Sequence, residues 1–233
     1  MEQIMRTIFV LIFVSIVAAI FWVSQPVSTV AEKLIENNKQ AEQKIIVIDP
    51  GHGGYDPGAV HGSILEKDIN LSICEKLKKV LEANNYRVIL TRTGDYNHAI
   101  KGIHGREAKL YDMKKRVEIA QEAMADIIIT LHVNSVKKTS YQGAEAFYYP
   151  ISREGKTLAL AIQEEFITIP DMNKRSAKIS MCYMLRYSKM PSVLVEVGYL
   201  SNPRERKLLL ESKYRDLLAD KIAAGVIKYF NNK

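Results

Sequence analysis

Two histidines and two glutamates stand far apart in this chain, each where a predicted strand ends or a predicted helix begins: His52, Glu66, His132 and Glu196. Two imidazoles and one carboxylate are a common protein contribution to a catalytic zinc site, whose fourth position stays open for water. The second glutamate is then the natural base for that water. If the four side chains converge, their chemistry is that of a metal-dependent hydrolase.

Each of these residues also has an ordinary structural explanation. A lone histidine at a strand end is more often structural, and a glutamate at a helix start often interacts favourably with the helix dipole. Glu196 is harder to explain in this way, because it lies inside the apolar run at 193–197. An ionised carboxylate in such a strand is costly unless it is paired or functional. The shared location of the four residues is therefore the stronger argument.

Apolar strands alternate with amphipathic helices along the chain, which favours an α/β sandwich with a mostly parallel sheet. Apolar runs without polar alternation fit strands that are covered on both faces. Residues 50–63 and 92–111 are predicted to be loops. The patterns predict helices at 66–84, 112–125, 154–166 and 213–230, and strands at 44–49, 86–91, 126–133, 143–149, 179–185 and 193–197.

The predicted topology places the four candidate residues on one rim of the sheet. In open α/β sheets, ligands gather beyond the carboxyl ends of the strands. His52 follows the first strand, while His132 and Glu196 lie near the ends of two others. Glu66 opens the first helix, which starts at the same edge.

The first residues of the chain predict export. Residues 7–23 form an apolar run whose only polar members are Thr7 and Ser15. The run is near the short limit of about 17–25 residues for a membrane span and longer than the secretory core of about 7–15. We therefore predict a signal peptide or membrane anchor at 1–31, with an anchor favoured, then a polar spacer at 32–43 and one folded domain at 44–233.

The formal net charge of +7 fits either a solvated basic surface or attraction to a polyanion. Outside a cell membrane the available polyanions are envelope polymers. No RNP-type or zinc-finger pattern supports nucleic acid as a partner. The two cysteines, Cys74 and Cys182, are too few for a disulfide scaffold, and whether they pair stays open.

Five blocks of sequence carry a family resemblance: IDPGHGGYDPGA at 48–59, EKDINL at 66–71, TRT at 91–93, LHVN at 131–134 and PSVLVEVGYLSN at 191–202. In this order they resemble the zinc-dependent N-acetylmuramoyl-L-alanine amidases over residues 45–229. The resemblance implies a twisted sheet of about six strands with helices on both faces. It also implies that 44–233 is a catalytic domain that cleaves peptidoglycan between the lactyl group of muramic acid and the L-alanine of the stem peptide.

The same resemblance implies roles for the candidate residues. His52, Glu66 and His132 correspond to the ligands of Zn²⁺, and Glu196 corresponds to the catalytic glutamate. The hydrophobic start without wall-binding repeats resembles the sporulation- and germination-specific branch, which trims stem peptides in spore cortex so that muramic δ-lactam can form. We therefore expect action in the cell envelope, around the developing spore. A chain without its own targeting module is also expected to use an exported accessory protein.

Two other functions stay open from the residues alone: a zinc peptidase that cuts within the stem peptide, and a non-catalytic envelope-binding protein. Asn134 and Arg186 are candidate substrate-binding residues. A guanidinium at the predicted strand end could bind a peptide carboxylate through two hydrogen bonds, although a surface salt bridge is the simpler explanation. Asp49 is either a hydrogen-bond partner of a ligand imidazole or a turn residue.

Overall fold

The computed structural model describes residues 1–41 and 43–232, with side chains given for residues 1–21 and 43–232. The chain forms two compact units, Met1–Gln43 and Lys44–Lys233. The first contains helix α1 (Glu2–Ala41), whose segment Glu2–Phe21 is long and apolar enough to cross a membrane. The side chains at the end of the predicted signal peptide or anchor, up to residue 31, and those of the spacer up to residue 42 lie outside the described part, so both stay predictions.

A six-stranded mixed sheet organises the second unit. Its strands are β1 (Ile45–Pro50), β4 (Arg87–Leu90), β5 (Ile127–Asn134), β6 (Glu145–Tyr148), β7 (Lys178–Ile179) and β8 (Ser192–Tyr199). Their spatial order is β4-β1-β5-β8-β6-β7. Only the pairing of β6 with β8 is antiparallel. A separate hairpin consists of β2 (Val60–His61) and β3 (Ile64–Leu65).

Helices cover both faces of this sheet: α2 (Glu66–Ala83), α3 (Gly105–Glu122), α4 (Arg153–Phe166), α5 (Tyr183–Tyr187), α6 (Pro203–Leu210) and α7 (Ser212–Asn231). Successive strand residues point to opposite faces. Ile46 and Ile48 accordingly join the large core with α2, α4 and α7, whereas Val47 joins a smaller core with α3 and Met184 of α5. The predicted fold class, a mostly parallel sheet of about six strands with helices around it, is confirmed.

Three details of the predicted elements are wrong. The segment 179–185 is not a strand: β7 ends at Ile179, and α5 begins at Tyr183. Helix α3 begins at Gly105, so part of the predicted loop at 92–111 is helical. Helix α6 was not predicted, although the Asn202 side chain caps it by accepting hydrogen bonds from two backbone N–H groups. Cys74 and Cys182 are both free thiols.

Asp49, at the end of β1, is a buried charged group that joins three elements. Its carboxylate accepts hydrogen bonds from Thr91 Oγ1 at 2.5 Å, Thr130 Oγ1 at 2.6 Å and Arg116 Nη1 at 2.8 Å. Burial raises its pKa, but the Arg116 charge and these hydrogen bonds outweigh burial and lower the pKa to about 2. Asp49 therefore contacts an arginine and two threonines, rather than a ligand imidazole as one interpretation of the sequence had it.

Replacement of Asp49 by asparagine should lower the free energy of unfolding by about 3 kcal/mol at pH 7, because it leaves buried Arg116 short of one carboxylate. The stabilisation from the ionised carboxylate is complete above its ordinary pKa of 3.8 and is lost as the pH falls through 2. The difference between variant and wild type should therefore shrink on acidification. Urea unfolding of the full chain in detergent, at neutral and acidic pH, measures this.

The matched control is Asp171→Asn, because Asp171 forms an exposed ion pair with Arg204 and such pairs contribute little. If Asp49→Asn unfolds at the same urea concentration as this control at pH 7, the Asp49 cluster does not stabilise the fold.

Candidate metal centre

Three side chains from separate elements meet beyond the carboxyl ends of the strands. They are His52 in the loop after β1, Glu66 at the start of α2, and His132 in β5. Glu66 Oε1 lies 3.2 Å from His52 Nε2 and 2.8 Å from His132 Nδ1. One ligand atom from each residue lies within 4.8 Å of the others. Two imidazole nitrogens and a carboxylate oxygen at this spacing could hold a metal ion.

The backbone around His52 is held in an unusual conformation. His52 has a φ of 64°, in the left-handed region that is uncommon for residues other than glycine. Two buried arginines hold this loop: Arg116 Nη2 donates to His52 O at 2.7 Å, and Arg92 Nη2 donates to Gly51 O at 3.1 Å. A Cβ on Gly51 would lie 2.3 Å from the His132 ring, so only glycine lets the two stretches approach.

Glu66 is held as a buried, ionised carboxylate. Its Oε2 accepts a hydrogen bond from the Ala59 N–H at 2.7 Å, and its Oε1 accepts one from the Val133 N–H at 3.1 Å. Burial raises the pKa of Glu66, but hydrogen bonds from His132 and His52 reverse this and hold it well below its usual range. The carboxylate is therefore negative at neutral pH and is aimed between the two imidazoles.

Asp56 also belongs to this site, although it was not among the candidate residues predicted from the sequence. Asp56 Oδ2 lies 2.8 Å from His52 Nδ1. The close contact with the His52 ring is the main reason that the pKa of Asp56 falls to about 2. Burial lowers the pKa of His52, but its bonds to Asp56 and Glu66 raise it to about 9. A carboxylate on one ring nitrogen orients an imidazole and leaves the other nitrogen for a metal. Asp56 occupies the position for which Asp49 was considered.

Replacement of Asp56 by asparagine should lower metal affinity by about 10–100-fold, because the His52 ring loses the negative partner that orients it. Competition between the full chain and a chelating dye for zinc measures the affinity without any substrate. Asp220→Asn, at an exposed position of α7, is the control and should bind zinc as the wild type does. Equal zinc affinity in the Asp56 variant and the wild type would rule out this role.

Glu196 lies beside the three residues without bonding to them. It pairs with His132 in the register of β8 and β5, so both side chains are on the same face of the sheet. Its Oε2 is buried and has no hydrogen-bond partner among the described residues. Burial raises the pKa of Glu196 to about 7, although the charge of His132 lowers it. A carboxyl group with this pKa can both accept and release a proton near neutral pH.

Comparison with known proteins identifies the family. The model of the N-acetylmuramoyl-L-alanine amidase family matches residues 46–228. The chain belongs to this family. The resemblance inferred from the five sequence blocks is thereby confirmed, as is the enzyme class. Amidases of this kind act on peptidoglycan outside the cytoplasm, and the apolar helix Glu2–Phe21 of this amidase fits a signal or an anchor.

Similar proteins extend over most of this amidase. The germination-specific N-acetylmuramoyl-L-alanine amidase of Bacillus subtilis is 36% identical over 192 residues, which are 82% of this chain and 81% of that protein. The CwlD amidase of Clostridioides difficile, solved in complex with the GerS lipoprotein, has a TM-score of 0.79 and 36% identity and covers 82% of this chain and 100% of its own. The catalytic domain of CwlV from Bacillus (Paenibacillus) polymyxa has a TM-score of 0.71 and 29% identity, with coverage of 82% and 100%.

The two candidate substrate-binding residues of the amidase are not among the residues that line the metal centre's cavity. A cavity of about 200 Å³ contains His52, His132 and Glu196 in its lining, but neither Asn134 nor Arg186. Arg186 is in helix α5 rather than at a strand end. It lines a different surface cavity, where its guanidinium lies 5.5 Å from the centre of the Tyr187 ring. Asn134 ends β5, where its carbonyl accepts a hydrogen bond from Leu200 N–H. Their substrate roles stay predictions.

Proposed function

We propose that this amidase hydrolyses the bond between the lactyl group of muramic acid and the L-alanine of the stem peptide, with His52, Glu66 and His132 as zinc ligands and Glu196 as the proton carrier. One observation carries the assignment of residues. Three ligand atoms within 4.8 Å of one another lie beside a buried carboxylate oxygen that has no partner among the described residues. The donor set of two imidazoles and one carboxylate matches the preference of catalytic zinc.

The reaction divides between the metal and the chain. Zinc, when bound, supplies Lewis acidity that polarises the scissile carbonyl and acidifies water. Glu196 accepts a proton from the attacking water and then donates it to the leaving nitrogen of L-alanine. Asp56 holds the His52 ring during the cycle, and Arg116 holds the His52 backbone. These fixed contacts keep the site in one geometry, which favours a reaction that needs accurate alignment.

The relatives favour spore cortex as the site of action. One is named as a germination-specific amidase, and the CwlD amidase shares 36% identity and a TM-score of 0.79 with this chain. We infer that this amidase removes stem peptides from muramic acid in cortex peptidoglycan, which leaves free lactyl carboxyl groups from which muramic δ-lactam can form.

An exported accessory protein and a membrane location complete the proposal. The CwlD amidase was solved in complex with a lipoprotein, which supports a similar assistant for this chain. The apolar segment Glu2–Phe21 would keep the enzyme at the outer surface of a membrane if it is not cleaved. The accessory protein is expected to raise the rate of cortex digestion above that of the amidase alone.

Mass spectrometry of digested peptidoglycan tests the cleaved bond and the metal together. The full chain in detergent is incubated with purified cortex peptidoglycan, with zinc or after chelation. We expect peptides that begin with L-alanine and muramic acid that carries no peptide, only in the samples with zinc. Peptides shortened inside the stem would instead identify a zinc peptidase. No cleavage with zinc and with a spore-envelope extract would favour the non-catalytic alternative.

A further inference from the structure

The cavity at the metal centre combines chemically different side chains. Its lining includes His52, His132 and Glu196 together with other charged and polar groups, and it also includes three apolar side chains from three elements, which we call the apolar end: Met113 of α3, Met184 of α5 and Leu194 of β8. Met184 belongs to the smaller hydrophobic core and is 5% exposed, so this wall is held in place by packing. The apolar end has no role in the proton transfers proposed above.

Strand geometry places one residue of the apolar end next to Glu196. Residues two apart in a strand point to the same face, about 7 Å from each other. Leu194 therefore lies beside Glu196 on β8, just as Thr130 lies beside His132 on β5. The pair Thr130–Leu194 is thus the next pair on this face of the two strands after the pair His132–Glu196. A group bound next to the Glu196 carboxyl thus has an apolar surface within reach.

The reaction determines which substrate group faces this surface. Glu196 must approach the leaving nitrogen in order to donate its proton. That nitrogen carries the α-carbon of L-alanine, so the side chain of the first stem residue is close to Glu196. The methyl group of alanine is small and apolar and suits a wall of leucine and methionine.

We propose that Met113, Met184 and Leu194 form the binding site for the side chain of the first stem-peptide residue and restrict it to a small apolar group. This inference rests on the proposed function. Burial of one methyl group corresponds to about a 4-fold gain in kcat/KM. An added methylene that does not fit a pocket costs about 10–200-fold. The wild type should therefore prefer L-alanine to glycine by a few-fold and to L-valine by more.

Substrates that differ only in the first stem residue test the inference. Short glycan strands carrying stem peptides that begin with L-alanine, glycine or L-valine are incubated with the full chain, zinc and detergent. In Leu194→Ala the ratio of kcat/KM for valine to that for alanine should rise by about 10-fold. Leu210→Ala, at a half-exposed position of α6, is the control and should keep the wild-type ratio.

A second variant tests the same inference without a substitution in β8, in case Leu194→Ala disturbs the folding of that strand. Met113 lies on α3 and is only partly buried, so Met113→Ala should fold and shift the ratio in the same direction. Its control is Met124→Ala, since Met124 is 80% exposed. The ratio within one enzyme sample does not depend on the fraction of active protein, so partial unfolding does not mimic the effect.

Each outcome decides between the claims. A raised valine-to-alanine ratio in both cavity variants supports the binding site. Normal hydrolysis with an unchanged ratio in both overturns it and leaves the proposed function intact. If zinc-loaded wild type cleaves no L-alanine substrate, the proposed function fails and this inference fails with it.

Discussion

Glu196→Gln should lower kcat by about 10²–10⁴-fold while zinc stays bound as in the wild type. Glutamine has nearly the same size and fits the same buried position, but it cannot accept a proton and pass it on. The side chain of Glu196 makes no hydrogen bond through its Oε2 with any described residue, so the substitution breaks no such contact there. The loss should therefore fall on catalysis rather than on the fold.

Release of peptides from cortex peptidoglycan measures kcat, and metal analysis after gel filtration measures bound zinc. The matched control is Glu164→Gln, because Glu164 is exposed on α4 and pairs with Lys228. That control should keep both properties. Turnover of the Glu196 variant within a few-fold of the wild type would remove Glu196 as the proton carrier.

His132→Ala should lose zinc and hydrolysis together. His132 supplies one of the two imidazoles around Glu66, and its Nδ1 lies 2.8 Å from Glu66 Oε1. With only His52 and Glu66 left, the site keeps two protein ligands, fewer than the three that are usual for catalytic zinc. Zinc affinity should decrease more than in the Asp56 variant, for which we expect a decrease of about 10–100-fold because Asp56 only orients a ligand.

The same chelator competition and peptide-release measurements apply to this variant, with circular dichroism to monitor the fold. His61→Ala is the control, since His61 is exposed in the β2–β3 hairpin. A His132 variant that binds zinc with wild-type affinity would contradict the ligand assignment. Comparison of His132→Ala with Glu196→Gln distinguishes the effect of losing the metal from the effect of losing proton transfer.

The sequence was sufficient to predict the fold class and to predict that the two histidines and two glutamates of the site lie close together. Apolar runs of strand length indicated buried strands, and their alternation with helices indicated a parallel sheet. Residues that follow parallel strands, or that begin the next helix, share one edge of the sheet. His52, Glu66, His132 and Glu196 could therefore be placed together without coordinates, because their proximity follows from topology alone.

Contacts between side chains of different elements were decided only by the tertiary structure. Asp49 and Asp56 flank His52 in the chain, and nothing in their spacing shows that Arg116 and two threonines bind the first while the second binds the imidazole. Such pairings depend on side-chain direction and on which helix covers the loop. The sequence pattern contains no information about either of these.

The segment 179–185 shows the same limit at the level of secondary structure. A short apolar run fits a strand or a buried helical turn equally well. Tertiary packing decides between them here, since Met184 is buried among Val47, Val117 and Ile128. That packing places α5 beside α3 and completes the apolar end of the cavity from residues that are far apart in sequence. Local periodicity determined the sheet and its reactive rim, whereas the shape of the pocket beside that rim arose only from contacts between distant elements.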